Sequence, residues 1–548
     1  MRGWVSLKPL LVILLGGISL GFLAQGVAAR SLGNGKYVPH ELLVKFKPGT
    51  PPYVRQEIHR GVGATVLQRF AKDERLVRVH VPEGLDLDSA LAYYSTLADV
   101  QYVQKNLLYH IVETIPTDPG FPQQWGWKNT LPNTNPFADV GATFAWDKAR
   151  GRFSIVVADI DTGVDYTHPD LALNIWTNPG EAGVKCANGI DDDRDGFVDD
   201  CRGWNFYAYS NDPMDDNGHG THTSGTIGAL TDNALGVAGA NWDVQIMPLK
   251  FMDATGTGST AGAIEALDYA VAHGATISNN SWGTTGFDPG LLDAIKRAEA
   301  AGHLFITAAG NSNTNNDISP FYPCDFTKSD PIYNPNPPTN IICVAATDQY
   351  GNRAGFSNYG STTVHLGAPG VDILSTYRNQ GYAILSGTSQ ATPHVTGGAA
   401  LLKGCNPNLS SVTIKDILLR TVRQSLALIG KTTTGGIVNY QTALDDPLVG
   451  ACEAAPVSST MPVANAGGPY NVNIKKPVQF NGTGSYVSGG QILLYFWNFG
   501  DGSYGVGPKP VHPYATRGTF TATLTVRDNF GSVSSQSTTV NIRPGGRN

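Results

Sequence analysis

Between residues 117 and 448 the chain repeats one pattern, a short apolar run followed by a segment with helical spacing. The runs include Ser154–Ile160, Val244–Lys250, Thr276–Asn279, Leu304–Ala308 and Ile341–Ala345. They are apolar nearly throughout rather than at alternate positions. Strands buried on both faces read this way, and helical connections let successive strands run parallel. The clearest helical pattern spans about 261–274, with Ile264, Leu267, Ala270 and Val271 on one face. This predicts an α/β domain on a parallel sheet.

At 548 residues the chain exceeds one hydrophobic core, so three or four folded units are expected. Upstream, strand-like runs at Glu41–Lys47, Leu76–Val81 and Val100–Val103 enclose helical patterns at Val54–Val62 and Leu85–Leu97. A β-α-β-β-α-β order predicts a small ferredoxin-like α+β unit ending near Ile111. Residues 449–461 are small and polar, as in a linker, and residues 462–544 contain alternating runs such as Phe520–Val526 between turn-rich stretches. They predict a small Ig-like β-sandwich. Residues 1–29 predict a cleaved export signal, from Arg2 and Lys8 through the apolar Leu10–Leu23 to the small Val27-Ala28-Ala29. The apolar part is shorter than the roughly 20 residues a bilayer span needs, and no later segment is long enough. The mature chain is therefore expected to be secreted and not membrane-embedded. Only 15% of residues are charged while Gly (64) and Pro (34) are abundant, which suits a loop-rich extracellular protein. A net charge of −7 argues against nucleic acid as a partner. Six cysteines follow the signal: Cys186, Cys201, Cys324, Cys343, Cys405 and Cys452. In an exported chain they predict disulfides; of the many pairings open to six, neighbours along the chain are the simplest.

Three segments carry chemistry. Asp161-Thr-Gly-Val-Asp165 follows an apolar strand directly, which places Asp161 at a C-terminal strand end, where catalytic groups collect in open α/β sheets. Asn217-Gly-His-Gly-Thr-His222 opens a helix of small residues, and Ser386-Gly-Thr-Ser-Gln-Ala-Thr-Pro-His394 leads into the helical run Val395–Leu402. Pro393 is expected in that helix's first turn, where its missing N–H is harmless. A serine hydroxyl becomes a nucleophile when an imidazole removes its proton and a buried carboxylate fixes the imidazole. A helix N-terminus beside Ser389 would favour a developing oxyanion. His219 and His222 could instead share a metal, but no third ligand motif accompanies them; His222, His168 and His394 read as structural.

In the order Asp161, His219, Ser389, these segments resemble those of the subtilisin family over residues 117–448. The resemblance implies a three-layer α/β/α fold and a serine endopeptidase acting on proteins or peptides. His219 would be the base, Asp161 its orienting acid, and Asn311, in Ala308-Ala-Gly-Asn311, a side-chain donor to the oxyanion. Ser281-Trp282-Gly283 and Ala308-Ala309-Gly310 would line the pocket for the residue before the cleaved bond; neither segment is charged, so an apolar preference is expected. Gln390 stands where many members carry an oxidisable Met.

Asp191, Asp193 and Asp195, followed by Gly196, begin like an EF-hand loop, but Arg202 occupies the twelfth position. Oxygen ligands at this density, between Cys186 and Cys201, favour Ca2+. The resemblance implies a second Ca2+ site from Asp118, Asp170, the Asn233 side chain and the carbonyls of Thr231, Leu235 and Val237. It also makes residues 30–116 an inhibitory propeptide, removed by the enzyme itself between 111 and 118. The tail resembles a polycystic kidney disease (PKD) domain through Ala464–Tyr470, Tyr495–Gly502, His512–Tyr514 and Leu524–Asp528, which implies binding of collagen or another insoluble polymer, or a spacer. Trp497 either presents its ring to such a polymer or fills the sandwich core. Two other readings stand beside the peptidase. An adhesin on a vestigial scaffold is disfavoured by the intact Asp161, His219, Ser389 and Asn311. A lipase-like hydrolase is disfavoured by the missing G-x-S-x-G elbow and chain order.

Overall fold

The structure, a computed structural model, describes residues 37–107, 113–453 and 461–544. The expected export signal lies outside these, as do parts of the expected linker and cleavage region. The chain forms two compact units that divide between Val112 and Glu113.

The first unit runs β1 (Tyr37–Phe46), α1 (Pro52–Arg60), β2 (Thr65–Phe70), β3 (Asp73–His80), α2 (Leu87–Ser95) and β4 (Val100–Leu107). Its antiparallel sheet has the order β2-β3-β1-β4, the ferredoxin-like arrangement. Alternation in β1 and β3 sends Leu42, Val44, Phe46, Val77 and Val79 to one face, where Ile58, Ala90 and Tyr94 of the helices cover them. Asp86 caps α2 by accepting a hydrogen bond from the Ser89 N–H. Only β2 had no clear signature, because its side chains are mostly exposed.

In the second unit, α3 (Ala142–Ala145) precedes β5 (Gly151–Asp161), β6 (Trp204–Asn205), α4 (His219–Gly228), β7 (Asp243–Lys250), α5 (Thr260–Ala272) and β8 (Ile277–Asn280). Then come α6 (Pro289–Ala300), β9 (Leu304–Ala308), β10 (Ile341–Thr347), β11 (Leu366–Pro369), β12 (Ile373–Tyr377) and β13 (Gly381–Leu385). The α/β part closes with α7 (Thr388–Cys405), α8 (Ser411–Arg420), β14 (Arg423–Gln424), β15 (Gly436–Ile437) and α9 (Tyr440–Leu444). Nine strands form one sheet in the order β14-β15-β11-β10-β9-β8-β5-β7-β6, parallel except for β14 against β15. The sheet is buried on both faces, which explains the unbroken apolar runs. Val157, Ile246, Ile277 and Ile306 pack under α4 and α7, whereas Ala158, Ile160, Leu249 and Phe305 pack under α5 and α6. This is the three-layer α/β/α fold. The buried stripe of α5 is Ala263, Ala266, Leu267 and Ala270, with Ile264 and Val271 half-buried at its margin rather than at its centre. Small residues let this helix approach the sheet closely.

The cysteines pair as neighbours along the chain: Cys186–Cys201, Cys324–Cys343 and Cys405–Cys452. The C-terminal sandwich comprises β16 (Tyr470–Asn473), β17 (Val478–Gln479), β18 (Ile492–Asn498), β19 (Tyr504–Val506), β20 (Val511–His512), β21 (Gly518–Asp528) and β22 (Val533–Arg543). One sheet has the order β16-β22-β21-β18-β19, and β17 pairs with β20 in the other. Trp497 is fully buried in the core, 4.9 Å from the Phe480 ring, and donates Nε1–H to Gly507 O at 3.1 Å. Its ring is therefore not available to a polymer.

Candidate active site

The strand order reverses around β5, whose neighbours β7 and β8 lie on either side. Asp161 is the last residue of β5 and is buried. His219 opens α4, and its Nδ1 lies 2.7 Å from Asp161 Oδ1. Two glycines bring these elements together. A Cβ on Gly218 (φ +110°) would strike the Tyr377 ring, and one on Gly220 would lie 2.1 Å from Gly163 O. Asp215, unrecognised in the sequence, shapes the approach: Oδ1 accepts from Thr162 Oγ1 and the N–H groups of Asn217 and Gly218, while Oδ2 accepts from Thr221 N and Oγ1.

Burial disfavours the imidazolium of His219, but the Asp161 carboxylate, the hydrogen bond to it, and Asp159 and Asp215 outweigh that and raise its pKa. Asp159, also unrecognised in the sequence, is fully buried two residues before Asp161. It accepts hydrogen bonds from Thr223 Oγ1 (2.9 Å), Ser224 Oγ (2.5 Å) and Asn279 Nδ2 (2.9 Å), joining α4 to β8. Burial and the charge of Asp161 push its own pKa up.

Ser389 lies in the first turn of α7, and its Oγ donates to Ser281 O at 2.9 Å rather than to His219. Because α7 begins at Thr388, Pro393 falls in its second turn, not the first as the sequence suggested. Its absent N–H would leave the Ser389 carbonyl without its helical donor. Ser281 Oγ takes that place, donating to Ser389 O at 3.0 Å, and itself accepts from Asn279 Nδ2 at 3.1 Å. The nucleophile candidate, strand β8 and Asp159 thus belong to one buried network.

Asn311 sits beyond β9, and its Oδ1 accepts from Thr388 N (2.8 Å) and Thr388 Oγ1 (2.9 Å). The amide is thereby oriented with Nδ2 as its unengaged end. Gln390 is buried beside Ser389. The remaining histidines are structural in geometry: the Nε2 of His222 faces the carbonyls of Ile373 and Ala383, that of His168 faces Gly381 O, and the His394 ring packs 4.6 Å from Trp127. Among the described residues, neither His219 nor His222 belongs to a cluster placed to hold a metal.

Ser281-Trp282-Gly283 and Ala308-Ala309-Gly310 leave the C-terminal ends of the adjacent strands β8 and β9. Trp282 Nε1–H donates to Ile160 O at 2.7 Å. Phe321, which the sequence did not single out, faces both Gly283 and Gly310: a Cβ added to either glycine would lie 2.4 Å or 3.2 Å from its ring. Beside it, a cavity of about 350 Å³ is lined by Phe251, Met252, Trp282, Gly283, Leu291 and Tyr322 among others.

The residues expected to form the tight Ca2+ site lie close together. Asp118 accepts from Asp232 N at 2.7 Å; Asp170 accepts from Asn233 Nδ2 (2.8 Å) and Val237 N (2.9 Å). The two carboxylates are buried and have no cationic side-chain partner among the described residues, and burial pushes both up, Asp170 to about 7. The carbonyls of Thr231, Leu235 and Val237 accept no hydrogen bond among the described residues. Hard oxygens left over beside buried carboxylates fit a divalent cation, provided the Asn233 amide turns its oxygen inward. The other expected set spreads over two groups that share Asp193: Asp191 and Asp193 converge with Glu181, whose Oε2 is buried without a partner among the described residues, and Asp193 and Asp195 converge with His273, whose Nε2 lies 2.8 Å from Asp195. Glu181 lies outside the acidic run and carries no local signal.

A model of the subtilase family matches residues 153–447, a PKD-domain model matches 459–543, and a model of the fervidolysin N-terminal prodomain matches 24–106. The thermophilic serine proteinase of Bacillus sp. (strain AK1) is 34% identical over 370 residues, covering 67% of this chain and 79% of that one. Thermitase of Thermoactinomyces vulgaris is 34% identical over 273 residues, 50% of this chain and 83% of its own. Subtilisin Savinase of Lederbergia lenta is 35% identical over 293 residues, 53% and 90%.

Proposed function

The chain belongs to the subtilase family and is a subtilisin-like serine endopeptidase with a fervidolysin-type prodomain and a PKD domain, and from this we propose that Ser389, His219 and Asp161 carry its chemistry. The observation that supports the assignment best is the 2.7 Å contact between His219 Nδ1 and the buried Asp161, beside a helix N-terminus bearing Ser389. Asp161 fixes the tautomer so that Nε2 is the basic nitrogen. Ser389 Oγ turns from Ser281 O toward Nε2 and attacks the peptide carbonyl as the imidazole takes its proton. The oxyanion meets Asn311 Nδ2 and the Ser389 N–H. The proton passes to the leaving amine, and water then cleaves the acyl-enzyme by the same route.

Ser281–Gly283 and Ala308–Gly310 hold the substrate around the cleaved bond, and the uncharged wall with Phe321 favours an apolar residue before it. The cavity beside Trp282 receives another substrate side chain. The prodomain inhibits until the enzyme cuts between 111 and 118, and export follows from residues 1–29. Calcium, held by Asp118, Asp170, Asn233 and the carbonyls of Thr231, Leu235 and Val237, supplies charge that these buried carboxylates lack; Glu181, Asp191 and Asp193 hold a second ion. Polymer binding by the PKD domain, collagen included, is assigned to faces other than the Trp497 core.

The test compares wild type with Ser389→Ala for casein digestion and fluorophosphonate labelling. Both are expected to vanish in the variant; equal digestion by the variant would overturn the assignment.

A further inference from the structure

Strand β18 is buried on both faces. Ile492, Tyr495 and Trp497 lie in the sandwich core. Leu493, Leu494 and Phe496 lie outside it: Leu493 packs with Phe153 and Ala182, and Leu494 and Phe496 pack with Ala172, flanked by Leu173, Tyr504 and Val506. A sandwich hung on a linker would keep the outer face of this sheet in water, and its strands would alternate apolar and polar residues. β21 and β22 do alternate in burial over most of their length, whereas Ile492-Leu-Leu-Tyr-Phe-Trp497 is unbroken.

Arg527, on the same sheet, is 3% exposed. Its Nε donates to Gly531 O within the sandwich (3.1 Å), but Nη1 crosses to Leu173 O (2.8 Å) and Asn174 Oδ1 (2.9 Å). Nη2 pairs with Asp243, and the guanidinium lies 3.8 Å from the centre of the Phe153 ring. A guanidinium is tolerated in the interior only when its donors are met, and here the peptidase meets those that the sandwich does not. Asn174 passes the contact on: its Nδ2 donates to Trp242 O (3.1 Å) and to Gly228 O (3.0 Å), the last residue of α4, whose first is His219.

We propose that the PKD sandwich is a docked subunit of the peptidase, anchored by Arg527, that braces the segment from Asp170 to Asn174. It is not a free arm. No disulfide among the three ties it to the peptidase, because every cysteine lies at or before Cys452. A cut within 454–460 would therefore leave it held by this surface alone.

The experiment places a site for a sequence-specific protease within 454–460 of the full chain, in a Ser389→Ala background that prevents self-digestion. After cutting, the fragments are run on size exclusion at about 1 μM, a concentration that retains complexes of about that dissociation constant or tighter. The expected result is co-elution with the Tm of the uncut chain, lost when Phe496→Asp or Arg527→Met is introduced. Neither residue belongs to the sandwich core, and blue-shifted Trp497 emission checks that the sandwich stays folded in each variant. Separation of the unmodified cut fragments would overturn the proposal, as would co-elution of both variants as tight as the parent.

Discussion

At Pro393 the helix that carries Ser389 gives up one N–H, and Ser281 replaces it. The carbonyl of Ser389 is thus held by Ser281 Oγ, and Ser281 by Asn279, which also serves Asp159. Electrostatics runs through the same group. His219 must be neutral to accept a proton, and its pKa is raised above 6.5, so activity is lost as pH falls through that raised value. The acid limb of kcat/KM is expected above pH 6.5. Asp159→Asn removes one of the charges that favour imidazolium and is expected to move the limb to lower pH; an unmoved limb in a folded variant would refute this coupling. Asn311→Ala removes the oriented Nδ2 donor, and kcat is expected to fall ~10²–10³-fold with KM little changed, as loss of the matching donor does in subtilisin. Steady-state kinetics on a peptide anilide reads both values. Asp161, His219, Ser389 and Asn311 were legible because each sits in a short run whose neighbours belong to the same turn. Asp159 and Phe321 were not, since their roles depend on partners that folding brings from distant stretches; Asp215 mostly binds its own turn, Asn217, Gly218 and Thr221, where an Asp gives no distinctive signal.

At the scale of elements, loops 231–237 and 186–201 gather carboxylates, and among the described residues the basic contacts to them are Lys185 at Asp192 (3.9 Å) and His273 at Asp195 and Asp200. Chelation with EDTA is expected to lower Tm, and added Ca2+ to restore it, in differential scanning calorimetry; an unchanged Tm would count against both ion sites. The acidic run pointed to Asp191, Asp193 and Asp195 but not to Glu181, which approaches Asp191 and Asp193 across the loop at no fixed spacing. The strands of the central sheet were plain in the sequence, being buried on both faces. Strand β2 was missed for the opposite reason: only part of its surface is covered, so hydrophobic alternation is weak. The face of α5 was displaced by one position because alanines, not the larger Ile264 and Val271, pack against the sheet.

For the whole molecule, the order of a ferredoxin-like unit, an α/β peptidase and a β-sandwich was readable from changes in hydrophobic period. How the sandwich meets the peptidase was not, although Ile492–Trp497 held the clue in plain view. That strand has two linings, one for its own fold and one for its neighbour. Gene shuffling that transplanted this sandwich alone would carry an apolar stripe with no cover, prone to aggregation. A peptidase left behind would inherit the matching bare patch around Phe153 and Ala172. The two domains are therefore expected to travel and diverge together, as halves of one heritable surface.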